Sequence, residues 1–276
     1  LLPNRAAAAA AAINGGLDIE MGNNLTSETL FDSIMSEGGA VTKEKIVEVW
    51  RRSFAPLFKS GRFDGPETNE WRKFDESNIN STRHQKISYE AALQGSVLLK
   101  NEKNALPLKA GSSIAVLGPF ATNGNSSDSY MSDYAADQTC FDIANPYSCV
   151  RNIYDEIAFL NDGGVTTTSE GVGISDYTAD PIDMKVMQAL ETGKHADVIV
   201  LCLGIDKSIE TEGVDRTDTK LPGQQESFAK RVLALGKPVV LILVNGGALA
   251  IDNLVDPTAA IVEAFNPNVV GMKGLS

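Results

Sequence analysis

Val198-Ile199-Val200-Leu201-Cys202-Leu203-Gly204-Ile205-Asp206 opens the stretch on which the reading of this chain turns. It continues as Lys207-Ser208-Ile209-Glu210-Thr211-Glu212-Gly213-Val214-Asp215-Arg216-Thr217-Asp218-Thr219-Lys220 and closes at Leu221-Pro222-Gly223-Gln224-Gln225. Its first six residues are apolar without alternation, which predicts a short strand buried on both faces. Gly204 ends that strand. Five carboxylates follow within thirteen residues, Asp206, Glu210, Glu212, Asp215 and Asp218, with Lys207, Arg216 and Lys220 among them. Helical patterning begins at Gln224. Ligands of open α/β sheets bind outside the carboxyl ends of the strands, and the acidic loop stands at such an end.

The same apolar pattern recurs on both sides. Residues 113–117, 165–168, 239–244 and 259–264 read as further strands. Residues 89–100, 181–190 and 226–235 read as helices, the second with Ile182, Val186 and Leu190 on one face, the third with Phe228, Val232 and Leu235. Strands alternating with helices predict an α/β fold built on a doubly wound, mostly parallel sheet, an α/β sandwich. Residues 120–152 form a long irregular loop carrying Tyr130, Met131, Asp133 and Tyr134, and loops of that length are usually functional.

The first part of the chain differs in character. The alanines of residues 6–12 predict a plain helix, ended by Asn14-Gly15-Gly16, and residues 17–21 read as a short buried strand. Residues 42–58 carry Ile46, Val49, Trp50, Phe54, Leu57 and Phe58 at helical spacing. That stripe predicts a core-facing helix rather than a sugar platform, with Thr42 as its N-cap. Residues 59–84, rich in Gly, Pro, Asn and Ser, read as a linker with His84 at its exit. The expected organisation is therefore 1–58, a linker over 59–84, and an α/β domain over 85–276 that reads as incomplete at its C-terminus. The start at Leu1-Leu2-Pro3, without Met or signal sequence, reads as internal to a longer polypeptide.

Composition excludes several functions. A net charge of −12 and a pI near 4.7 argue against nucleic acid or an anionic membrane as partner. No apolar run approaches the roughly 20 residues of a membrane span. Two histidines and three scattered cysteines offer no zinc spacing, and neither metal nor cofactor is expected. Cys202 reads as an inert core thiol. Cys140 and Cys149 flank a short Pro-containing loop, where a disulfide is expected if the protein is secreted. Sequons at Asn24, Asn80 and Asn125 point the same way, toward an extracellular glycoprotein.

From residues alone the acidic loop has two readings. It is a solvated, self-paired charged loop, as most such loops are. Or Glu212 is a positioned acid. Gly213 lets the backbone bend beside a ligand, and Arg216 pairs with Asp215 to hold the loop's shape. A carboxyl among like charges keeps its proton more readily, as a general acid working near neutrality must.

Ile209 to Arg216, with Leu221-Pro222-Gly223-Gln224, Gly236-Lys237-Pro238-Val239-Val240 and Asn245-Gly246-Gly247, resembles the second domain of glycoside hydrolase family 3 in its β-xylosidase and β-glucosidase branch. Ser96-Val97-Leu98-Leu99-Lys100-Asn101-Glu102 and Leu106-Pro107-Leu108 are similar to the segment that enters that domain. The Ala-rich helix, glycine break and Leu17-Asp18-Ile19-Glu20-Met21 resemble the last β/α unit of the family's N-terminal TIM-like barrel. The resemblance implies a retaining exo-acting β-glycosidase that removes terminal β-D-xylosyl or β-D-glucosyl residues from oligosaccharides. It implies Glu212 as acid/base, with Glu210 the runner-up, and Tyr130, Met131, Asp133 and Arg216 near the sugar. The family's nucleophile is an aspartate in an earlier barrel motif with no counterpart here, so Asp18 and Glu20 are set aside and this chain alone should be inactive. The implied partners are the β-linked substrate and the enzyme's own barrel part, with homo-oligomerisation left open.

Two other classes stand beside this one. A nucleotide-binding domain would need a Gly-rich loop between strand and helix. Gly118-Pro119 and Gly204-Ile205-Asp206 lack that spacing, and the acidic loop would repel phosphate. A non-catalytic carbohydrate-binding or scaffold domain on the same fold differs only in whether Glu212 turns substrate over.

Overall fold

The computed structural model describes residues 4–22, 40–122, 144, 150–177 and 183–275. The chain forms two compact units that divide between Ile79 and Asn80.

In the first unit, helix α1 spans Arg5–Gly15 and α2 spans Lys43–Lys59. Asn4 Oδ1 caps α1 by accepting the Ala7 N–H at 2.9 Å, and Thr42 Oγ1 caps α2 from Lys45 at 3.2 Å. The Ala-rich helix buries Ala9 and Ala10 against Val41, with Ile13 and Ile46 packed around them. Two expectations fail here. Residues 17–21 form no strand, and Met21 is fully exposed. A strand needs a neighbour to take its backbone hydrogen bonds, and the described residues of this unit contain none. The aromatic stripe of α2 is not core either. No residue of that helix is buried, and Trp50 is 52% exposed. The small side chains of α1 give it little apolar area to cover, and the rings pair with one another, Trp50 on Phe54 at 4.7 Å and Phe58 on Phe63 at 4.5 Å. Asp18 is tied to the Arg52 guanidinium, which holds its carboxyl below the usual aspartate range. The stretch read as a linker carries two short 3-10 turns, Glu70–Lys73 and Glu76–Asn78.

The second unit runs α3 (Thr82–Gly95), β1 (Val97–Asn101), β2 (Ser113–Leu117), α4 (Ile153–Leu160), β3 (Val165–Ser169), α5 (Met184–Lys194), β4 (Val198–Gly204), α6 (Gln225–Leu233), β5 (Val239–Val244), α7 (Asp252–Val255), β6 (Ala260–Phe265) and α8 (Asn268–Leu275). The six strands lie in the order β1-β6-β5-β4-β2-β3, all parallel except β1, which pairs antiparallel with β6. The expected helix over 89–100 is corrected. It ends at Gly95, and Val97-Leu98-Leu99-Lys100-Asn101 is the edge strand β1.

The unbroken apolar runs arise because the sheet is covered on both sides. Ile114, Val116, Val200, Cys202, Val240 and Ile242 face one buried layer with Ile153, Ile157 and Met272. Their alternates Ala115, Leu117, Ile199, Leu201, Leu203, Leu241 and Leu243 face the other, against Val186, Ala189, Phe228, Ala229 and Val232. Side chains alternate faces along a strand, so a strand between two layers is apolar at every position.

β4 ends at a close approach. A Cβ at Gly204 would lie inside the Val244 carbonyl oxygen of β5, so only glycine fits. Gln225, wholly buried at the start of α6, serves the same residue. Its Oε1 accepts the Gly204 N–H at 2.8 Å, and its Nε2 donates to the Gly204 carbonyl at 2.8 Å and the Ile174 carbonyl at 2.9 Å. Gln225→Leu keeps the volume and orphans two buried backbone groups of Gly204 and the partly buried Ile174 carbonyl. It should lower stability by about 3 kcal/mol or more, read as a drop in the urea midpoint. Gln224→Leu, one residue earlier and with no side-chain cap bond, should change it by about 0.5 kcal/mol or less. Equal effects would show that the Gln225 amide does not hold the end of β4.

Candidate active site

From β2 the chain moves outward to β3, then returns across β2 to place β4 on its other side. Successive connections therefore leave in opposite directions at the β2–β4 pair, which makes their carboxyl ends the switch point where such sheets bind ligands. Gly118-Pro119-Phe120 stands above β2, with Phe120 buried and its N–H on the Cys202 carbonyl at 3.4 Å. The acidic loop stands above β4.

That loop is built from local hydrogen bonds. Asp206 Oδ1 accepts the Ser208 N–H at 2.9 Å and the Ser208 hydroxyl at 2.5 Å, turning the chain as it leaves the sheet. Thr211 and Val214 exchange backbone bonds of 3.1 and 2.9 Å. The two residues between them are Glu212 and Gly213. Gly213 has φ +83°, the third position of a type II turn that glycine fills without strain, and Glu212 is exposed at the tip. Asp218 Oδ1 accepts the Lys220 N–H, and Ala250 donates to the Thr219 carbonyl at 2.8 Å, joining the returning limb to the loop after β5.

Arg216 does not pair with Asp215. Its Nε donates to Glu210 Oε2 and its Nη2 to the Ala248 carbonyl at 3.0 Å. Neighbours in an extended chain point to opposite sides, so Asp215 faces away, while Glu210 and Arg216 meet across the two limbs that the Thr211–Val214 bridge closes. The structure therefore separates the two candidate glutamates. Glu210 is engaged by a guanidinium at the loop's base, and Glu212 is presented at its apex.

The carboxyl ends of β5 and β6 hold a second group of side chains that the sequence reading missed. Buried Asn245 donates through Nδ2 to Glu263 Oε2 at 3.2 Å, and the Phe265 N–H donates to Glu263 Oε1 at 3.1 Å. Phe265 has φ +54°, an uncommon conformation for a bulky side chain, and is 47% exposed. Its register with Val244 follows a bulge. The signal in the sequence was a charged Glu263 inside an apolar strand.

Tyr130, Met131, Asp133, Cys140, Cys149, Asn24 and Asn125 lie outside the described residues. Asn80 is exposed beside the start of α3. Cys202 is fully buried, and burial pushes its thiol up, away from reactivity. Among the described residues no three His, Cys, Asp or Glu side chains stand together as a metal site, and no helix is long and apolar enough to cross a membrane. Cavities of about 540 and 520 Å³ lie over the β4–β5 face and beneath the amino ends of the strands. No residue of the acidic loop lines either of these two cavities.

Residues 96–275 match the family model described as the glycosyl hydrolase family 3 C-terminal domain. The chain is 34% identical over 245 residues to a protein named probable beta-D-xylosidase 6 from Arabidopsis thaliana, covering 87% of this chain and 28% of that one. Among solved structures, a GH3 exo-beta-xylosidase in complex with a xylobiose aziridine probe aligns with TM-score 0.80 and 28% identity, over 99% of this chain and 33% of that one. A β-glucosidase from Erythrobacter marinus aligns with TM-score 0.79 and 26% identity, over 100% of this chain and 38% of that one. The chain thus spans about a third of the length of the proteins it matches.

Half-buried Glu263 gives this edge of the sheet a pH dependence. Burial pushes its carboxyl above the ordinary glutamate range, against the opposing pull of Asn245 and the Phe265 N–H. An acid raised in the folded state keeps protons that the unfolded chain has released. Its contribution is full below the ordinary glutamate range and is lost as pH rises through the folded value. Glu263→Gln removes that loss, so its urea midpoint should fall less than that of the unchanged chain between acid and neutral pH. Parallel profiles would show that Glu263 titrates as it does in the unfolded chain.

Proposed function

This chain belongs to glycosyl hydrolase family 3 and carries its C-terminal domain, and from that membership we propose that it supplies the acid/base loop of a retaining exo-β-glycosidase. The observation that carries the reading is the position of Glu212, exposed on a two-residue turn above the switch point while Glu210 is held by Arg216. Retention requires two carboxyl groups about 5–5.5 Å apart, one a nucleophile and one an acid that becomes a base. Glu212 serves as the second. It protonates the leaving glycosidic oxygen, then takes a proton from the water that releases the glycosyl-enzyme. The nucleophile comes from the barrel part of the same enzyme, and an acid that must reach a sugar held by another domain has to stand proud of its own.

The substrate class is an oligosaccharide with a terminal β-D-xylosyl or β-D-glucosyl residue. Relatives named as xylosidases favour the xylosyl member. Exposure of the Asn80-Ser81-Thr82 sequon supports a secreted glycoprotein.

The test uses the enzyme that carries this chain with its barrel domain, assayed on aryl β-xylosides and β-glucosides with good and poor leaving groups. Glu212→Ala should lose roughly 10²–10⁴-fold on poor leaving groups and far less on good ones. Added azide should restore its turnover by attacking the glycosyl-enzyme, and should not do so for Glu210→Ala. Azide rescue of Glu210→Ala alone would transfer the role to Glu210. Full activity in both variants would leave the loop structural and the domain a non-catalytic module.

A further inference from the structure

We propose that the Glu210–Arg216 pair is a clamp that sets the position of Glu212, making both positioning residues of the reaction; this rests on the acid/base reading of Glu212. The two side chains flank the turn in sequence, Glu210 two residues before Glu212 and Arg216 four after. Between them Thr211 and Val214 bond backbone to backbone. The guanidinium therefore closes the base of a hairpin whose apex is Glu212. Its other arm reaches the Ala248 carbonyl, in the loop that leaves β5. The apex is thus referenced to two neighbouring strands of the sheet.

Gly247 is the independent sign that the pair is meant to sit where it does. A Cβ there would run into Glu210 Oε1 and stand 2.9 Å from Arg216 Nη2. The backbone of the β5 loop is cut back to leave room for both partners. The Arg216 side chain keeps only 12% of its exposure, and Glu210 keeps 34%. Arginine's planar fork serves Glu210 and Ala248 at once, which the single ammonium of a lysine cannot do in the same geometry. Arg216 Nη1 is buried without a hydrogen bond, so a direct contact from Arg216 to the sugar is the competing explanation.

Displacing a catalytic group by about 1 Å can cost on the order of 100-fold. The experiment compares Arg216→Lys and Glu210→Gln with the unchanged enzyme across aryl glycosides of rising leaving-group pKa. On the clamp reading both variants lose about 10–100-fold in kcat on the poorest leaving groups. They lose little on the best, hold KM, and steepen the leaving-group dependence without gaining turnover from azide. Adding Arg216→Lys to Glu212→Ala should then cost nothing more, because the group it positions is gone. A KM rise on every substrate with unchanged leaving-group dependence would make Arg216 a sugar ligand and overturn the clamp. A uniform loss that adds fully to Glu212→Ala would make the pair merely structural and also overturn it. Failure of the acid/base reading is distinguishable, since Glu212→Ala itself would then leave the leaving-group dependence flat.

Discussion

The hydrogen bonds between the Gln225 amide and the backbone of Gly204 are the constraint on which the site depends. β2 pairs with β4 only as far as Leu117 and Leu201. The Cys202 carbonyl still reaches back to Phe120 on the β2 side, and two residues further Gly204 points its N–H and C=O the same way, past the end of β2. Both groups would be buried donors and acceptors without partners, each costing about 1–3 kcal/mol. One glutamine side chain offers an acceptor and a donor at the spacing of a peptide and replaces the missing strand. Because Gln225 also begins α6, the strand that launches the acidic loop and the helix that receives it are fixed by one residue.

The loop between them is held in a different way. Asp206 turns it, Thr211 and Val214 close it, Asp218 receives the Lys220 N–H, and Thr219 joins the β5 loop through Ala250. The Glu210–Arg216 pair, partly exposed, adds little to stability, since such pairs are typically worth less than about 1 kcal/mol. Its value is geometric. A bidentate donor permits fewer arrangements than a point charge, and Gly247 removes the side chain that would spoil the one observed.

The central architecture was legible because it is written in local pattern. Runs such as Val198 to Leu203 and Val239 to Val244 are apolar at every position only if both faces are covered, and the structure covers both. What failed depended on partners distant in the chain. Val97-Leu98-Leu99 carries no period that separates strand from helix, and its pairing with residues 260–263 decides the matter. The stripe of α2 has the spacing of a core helix, yet among the described residues of its unit the helix packs on the alanine face of α1. Sequence adjacency pairs Arg216 with Asp215, whereas a hairpin brings together residues six apart and separates adjacent ones. In the sequence Gln225 is the second residue of a polar Gln-Gln pair. Its inward position shows only when it is set on one helical face with Phe228, Ala229 and Val232, all buried.

On the proposed reading Glu212 must serve a sugar held by another domain, and it then faces opposing demands. It must be exposed to reach its target, and it must be fixed to be effective. Burial, the usual source of order, is excluded by the first demand. This loop meets the second by satisfying its backbone locally, so that order runs from the Gly204 anchor through the Asp206 turn and the Arg216 contact to the Thr211–Val214 bridge, with Glu212 and Gly213 exposed at the turn beyond it. A single charged side chain at the apex of such a hairpin loses little entropy on engaging substrate, because its backbone is already ordered. On the proposed reading, the glycine after Glu212 is part of the same solution. It takes the positive φ that the tight turn requires, and it adds no side chain between the acid and the sugar.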